Sequence, residues 1–89
     1  MNAIPFPATP AISRHFRLQW EEAQGCYVLL YPEGMVKLNG SAGEILACCD
    51  GATGIDAFVS TLEAKFATTG LRDDIEGLLG HAYQQKWIV

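Results

Sequence analysis

Positive charge is scarce in this chain: six Lys plus Arg face ten Asp plus Glu across 89 residues, for a formal net charge of -4. That balance repels phosphate backbones and anionic lipid, which removes nucleic acid and membrane surfaces as default partners. Cysteine is sparse as well. Cys26, Cys48 and Cys49 are odd in number and two are adjacent, so neither a disulfide framework nor a C-x-x-C zinc pattern can be drawn, and a reducing cytoplasm fits best. The two histidines, His15 and His81, lack a ligand partner at metal spacing and read as surface residues. No apolar run approaches the roughly 18 residues a bilayer span needs. Residues 1–13 have no Lys or Arg and carry Pro5, Pro7 and Pro10, which argues against a targeting helix and for a chain that stays soluble inside the cell. No G-x-S-x-G, P-loop or G-x-G-x-x-G pattern occurs. At this length the core is modest, so a cofactor cavity, a metal centre and catalytic machinery are all unexpected.

What is present is a change of period along the chain. The prolines make residues 1–13 an extended, mobile arm, followed by one domain over 14–89. Residues 15–20 alternate, with Phe16, Leu18 and Trp20 on one side, and form a first strand. A polar loop ending at Gly25 leads into a second strand over 26–31 that is apolar on both faces. Pro32-Glu33-Gly34 predicts a type I turn with the glycine free to take a positive φ, then a third strand over 35–38. From there the period becomes helical. Ala42, Ile45, Leu46 and Cys49 share one stripe behind a Ser41/Glu44 capping box, and Asp50-Gly51 stops the helix. Thr53 and Asp56 open a weaker capping pattern for a second helix carrying Ile55, Phe58, Val59, Leu62 and Phe66 and ending before Gly70. A third helix carries Leu71, Ile75, Leu78, Leu79, Ala82 and Tyr83, with Asp73 and Asp74 at its positive end. The fold class is α+β: a three-stranded antiparallel sheet followed by three helices, the layout of winged-helix modules.

Two features invite a partner. If Cys26, Val28 and Leu30 face the helices, then Tyr27, Leu29 and Tyr31 face away. That leaves apolar surface for the arm with Ile4 and Phe6, for another protein, or for a second copy in a homodimer. The third strand is a sheet edge whose unpaired backbone either receives an extended peptide or is merely guarded by Lys37. By contrast, Asp73 and Asp74 are helix neighbours that do not face each other, and Cys49 completes an apolar stripe.

The series Phe16-Arg17-Leu18, Leu29-Leu30-Tyr31-Pro32-Glu33-Gly34, Leu38-Asn39, Ile45-Leu46, Cys49-Asp50-Gly51 and Asp74-Ile75 resembles the PqqD family of pyrroloquinoline quinone (PQQ) biosynthesis, over roughly residues 14–88. The resemblance implies a RiPP recognition element: a peptide chaperone without catalysis or cofactor that binds the ribosomal precursor peptide PqqA and presents it to the radical SAM enzyme PqqE. It also implies a binding mode in which the peptide adds as a strand beside strand three and lies against helix three. Carried onto this chain, Met35, Val36, Lys37 and Leu38 pair the peptide backbone, and Arg72, Ile75, Glu76, Leu79 and Tyr83 form the helical wall.

This chain departs from the family pattern at Trp87, where relatives tend to have a glycine ending helix three, and Gly77 and Gly80 lie inside that helix. A winged-helix nucleic-acid binder would share the element order. Its second and third helices, however, would carry Lys65, Arg72 and Lys86 against Asp56, Glu63, Asp73, Asp74 and Glu76, the wrong sign for a recognition helix. A redox role for Cys48 or Cys49 is the third alternative.

Overall fold

In the computed structural model, which describes residues 6–89, the first alternating segment is β1 (Arg17–Glu21). It starts two residues later than the predicted 15–20 because the Phe16 N–H donates to the Ser13 carbonyl at 2.9 Å, closing a turn over His15. A loop whose Gly25, at φ +65°, donates its N–H to the Glu21 carbonyl at 2.8 Å leads to β2 (Cys26–Tyr31). Tyr31 then sits opposite Gly34, so Pro32 and Glu33 alone form the turn into β3 (Gly34–Lys37). Gly34 is thus the first residue of the strand and does not take the positive φ expected of it. The sheet is antiparallel in the order β1-β2-β3.

The two faces of β2 are reversed from the sequence expectation. Tyr27, Leu29 and Tyr31 point toward the helices: Leu29 is 0% exposed in the core, and Tyr27 packs against the core from its edge. Cys26, Val28 and Leu30 point the other way, in register with Gln19 and Lys37 at Val28 and with Arg17 and Met35 at Leu30. Alternation could not choose between two apolar faces. The choice is made by Gly43, where a Cβ would come within 2.7 Å of the Tyr27 ring, so only glycine lets the first helix lie down on Tyr27.

That helix, α1 (Gly40–Ala47), is capped by Asn39 and not by Ser41: Asn39 Oδ1 accepts the Ala42 N–H at 2.7 Å, and Glu44 pairs with Lys65 instead of closing a box. Gly51, at φ +79°, ends the turn that follows. α2 (Ile55–Lys65) has no side-chain cap, because its N-cap residue is Gly54; Thr53, one residue earlier, donates its hydroxyl to Asp50 Oδ2 at 3.0 Å. α3 (Arg72–Gln84) starts at Leu71, whose N–H donates to Glu63 Oε2 at 3.0 Å. α1 lies on β2, and α2 and α3 pack on α1 and on each other. Leu29, Leu46, Phe58, Leu62, Ile75 and Leu79 fill the space between, each worth about 1.5–3 kcal/mol of apolar burial.

The arm expected over 1–13 is packed where it is described. Phe6 lies in the core and Pro10 is fully buried. Ala11 and Ser13 bond to Val89 and Trp87, and Ile12 faces the buried Ile88. Apolar side chains and a backbone partner outweigh the extended bias of the prolines. Ile4, expected to cover a sheet face, lies outside the described residues.

Candidate functional site

β3 is an outer strand of the sheet, and hydrogen-bond alternation fixes which of its backbone groups are free. The Leu38 N–H donates to the Tyr27 carbonyl at 3.1 Å, and Leu38 stands two residues from Val36 in the same register. The backbones of Val36 and Leu38 therefore point inward to β2, whereas those of Met35 and Lys37 point outward from the sheet. Only two of the four residues assigned to backbone pairing can serve an added strand directly. The Met35 side chain is 48% exposed and Lys37 is exposed, while Val36 packs against the core and Leu38 is buried.

The helical wall needs correction residue by residue. Ile75 and Leu79 are 1% and 0% exposed and both belong to the core; Leu79 offers a ligand no surface, whereas Ile75 lines the floor of the cleft formed by Asp74 and Leu78. Arg72 turns to α2, its Nη2 donating to Asp56 Oδ1 at 2.6 Å and its Nη1 to Glu76 Oε2 at 3.5 Å, which occupies Glu76 as well. Tyr83 is exposed but lines a different cleft, with Ser13, Phe16 and Ile88. The flank of α3 that faces the start of α1 carries Asp74 and Leu78 instead. With Asn39 and Ala42 at the start of α1 and Phe66 at the end of α2, they line a cleft of about 280 Å3. Sequence reasoning missed these residues. The signal for Leu78 was its place beside Ile75 on the stripe, one turn further round than the buried centre.

The surface expected for self-association is not on offer either, since Leu29 is buried. Tyr27 packs edge-on against Trp20 with centroids 5.1 Å apart, and Tyr31 packs against Phe16 at 5.6 Å. Cys49 is in the core, and burial, helped by Cys48 and Asp50, pushes its thiol up to about 12. Burial and Glu44 also raise Cys48, so both stay protonated near neutrality, and a thiol is a poor nucleophile. Asp50, by contrast, is held below the usual carboxylate range by the N–H groups of Ala52 and Thr53 and by the Thr53 hydroxyl. Among the described residues no cluster of three His, Cys, Asp or Glu side chains could hold a metal ion, and no helix is long and apolar enough to cross a membrane.

The resemblance implied a peptide strand beside strand three and against helix three; β3 is an outer strand here, and comparison with known proteins decides the family. A family model described as Coenzyme PQQ synthesis protein D (PqqD) matches residues 26–88. The chain belongs to the PqqD family. It is similar to the PqqA binding protein of Pseudomonas aeruginosa, at 50% identity over 89 residues covering 99% of this chain and 97% of that one. It is similar also to the PqqA binding protein of Stutzerimonas stutzeri, at 44% identity with the same coverage. The fold matches the solution structure of the PqqD part of Methylobacterium extorquens PqqCD, described as a functional and stand-alone RiPP recognition element. The TM-score is 0.77 over 98% of this chain and 99% of that one, at 24% identity.

The PqqD residues that carried the resemblance turn out to be joints of the fold. Pro32 and Glu33 make the β2–β3 turn, Leu38 enters the core, and Asn39 caps α1. Cys49 is core, Asp50 ties the α1–α2 loop, and Gly51 supplies its positive φ. Ile75 anchors α3, and it and its neighbour Asp74 both line the cleft. The glycine-like helix end falls at Lys86, one residue before the Trp87 to which the sequence pointed. Lys86 has φ +65°, and Trp87 donates its N–H to the Ala82 carbonyl at 2.9 Å.

Proposed function

We propose that this chain is a non-catalytic peptide-recognition module of PQQ biosynthesis, acting in the cytoplasm, that binds PqqA as a fourth strand on β3 and presents it to the radical SAM enzyme PqqE. The observation that carries the reading is the outward-facing backbone of Met35 and Lys37 on the edge strand that leads, through Asn39, into the Asp74/Leu78 cleft, in a chain whose relatives are named for binding PqqA. The backbone groups of Met35 and Lys37 exchange hydrogen bonds with the peptide, and an apolar side chain on its helix-facing side enters the cleft. Val36 and Leu38 shape the strand from behind, Ile75 and Leu79 hold α3 in place, and Arg72, Glu76 and Tyr83 lie outside the contact.

The charge distribution favours peptide over nucleic acid. Of the cations on α2 and α3, Lys65 is paired with Glu44 and Arg72 with Asp56 and Glu76. With Leu29 buried, we read the free protein as a monomer, which sizing of the purified chain checks.

Proline at position 37 tests the edge. Lys37→Pro removes an N–H that points away from β2, so the fold stands while PqqA binding falls; Val36→Pro removes a bond within the sheet and costs stability first. Titration calorimetry with synthetic PqqA, paired with urea unfolding of each variant, separates the two effects. Unchanged affinity in folded Lys37→Pro sinks strand addition at β3. Co-purification of PqqE with the chain and PqqA tests presentation.

A further inference from the structure

The two ends of the described chain are stitched together just past the C-terminal end of α3. The Ala11 N–H donates to the Val89 carbonyl at 3.1 Å, the Val89 N–H returns to the Ala11 carbonyl at 2.8 Å, and the Ser13 N–H donates to the Trp87 carbonyl at 2.8 Å. Between them Ile12 sits opposite Ile88, which is almost fully buried. The same N-terminal segment is fixed on its other side, where the Pro10 carbonyl accepts the Gly51 N–H at 3.0 Å and Phe6 enters the core. Residues 87–89 follow directly from α3 through its Schellman turn, in which Lys86 and Trp87 donate to the Tyr83 and Ala82 carbonyls.

α3 needs such an anchor. Gly77 and Gly80 lie within it, its N-cap residue makes no side-chain hydrogen bond, and its Arg72 ion pairs are solvent-exposed and weak. Yet α3 supplies Asp74 and Leu78 to the cleft that opens past the end of β3 at Asn39, which none of residues 6–13 lines.

We infer that the strap formed by residues 11–13 and 87–89 is a positioning device: it holds α3 in place against α1 and α2, and with it the Asp74/Leu78 wall of the cleft, so the N-terminal segment sets peptide affinity without touching the peptide. This rests on PqqA binding along β3 and into the Asp74/Leu78 cleft. The coupling is reciprocal by thermodynamic necessity, so a peptide that clamps α3 must also tighten the strap.

Hydrogen exchange and calorimetry on three full-length proteins test it. Ala11→Pro removes one strap donor and leaves Ile12 in place, whereas Ala11→Ser keeps the N–H. In the free protein, Ala11→Pro speeds amide exchange across the second half of α3, and its PqqA Kd rises about fivefold or more while Ala11→Ser matches wild type. PqqA added to wild type slows exchange at the Ser13 and Val89 amides. Wild-type affinity in an Ala11→Pro protein whose α3 has loosened overturns the inference, as does an α3 that exchanges no faster. Failure of wild type to bind PqqA at all removes the peptide-binding reading itself, a result distinct from either.

Discussion

Lys86 stands where most helices ending this way place a glycine. Its φ of +65° puts a Cβ in the left-handed region, which costs about 1–2 kcal/mol for an L-residue. Lys86→Gly relieves that strain but frees the unfolded chain by about 0.4–1 kcal/mol. The expected net gain is about 0.5–1 kcal/mol, read as a higher urea midpoint with unchanged slope. Lys86→Ala keeps the Cβ and isolates any effect of charge; an equal gain there refutes the strain account. The sequence displayed a glycine-poor helix end and located it one residue late, at Trp87, because a Schellman turn is recognised by its hydrogen bonds and not by residue type when glycine is missing. Asp50 and Asn39 show the same limit. Both are short polar side chains that the sequence offers as turn or cap formers, but which backbone N–H each takes is settled by the loop around it.

Periodicity was enough to order the elements, since three strands and three helices occur where alternation gives way to a helical stripe. It was not enough to aim them. β2 is apolar on both faces, so its inward side depends on what lies above it, and that is decided at Gly43 on α1. A pair of glycine substitutions separates close approach from helix propensity. Gly43→Ala gains up to about 1 kcal/mol of propensity but forces a Cβ into Tyr27, where 2.9 Å to the Tyr27 Cβ leaves no soft side-chain end to move. Overpacking of that kind costs about 1–3 kcal/mol, so the variant is expected to be less stable than wild type. Gly77→Ala on α3 meets nothing within 4 Å and is expected to gain about 1 kcal/mol. Thermal unfolding of both reads opposite signs. Stabilisation by Gly43→Ala would mean that Tyr27 does not lie against α1, and the face assignment of β2 would fail with it. The wall residues went astray for a related reason: one helix stripe names Ile75 and Leu79 as apolar, but only packing tells core from rim, and Leu78 is the rim.

On the scale of the whole molecule, the sheet has two outer strands, and strand addition is a claim about one of them. The alternation that points Met35 and Lys37 outward from β3 assigns the inward-facing β2 residues 26, 28 and 30 to β1, which leaves the backbones of Leu18 and Trp20 pointing outward on the far side. Both edges have free donors, so hydrogen-bonding capacity alone does not choose between them. The surroundings do. β3 runs into Asn39 and the apolar cleft walled by Asp74 and Leu78, which can take a side chain from an added strand, while β1 ends on the acidic Glu21 and runs into Glu22, whose carboxylate accepts the indole N–H of the half-exposed Trp20 at 3.1 Å. Amide exchange followed residue by residue on addition of PqqA should therefore slow at Met35 and Lys37 and stay fast at Leu18 and Trp20, with Val36 already protected in the free protein by its bond to β2. Protection gained on the β1 side instead would move the peptide to the opposite edge, away from the cleft. Protection gained on both sides at once would point to a second chain pairing edge to edge, a different assembly from a monomer carrying one peptide.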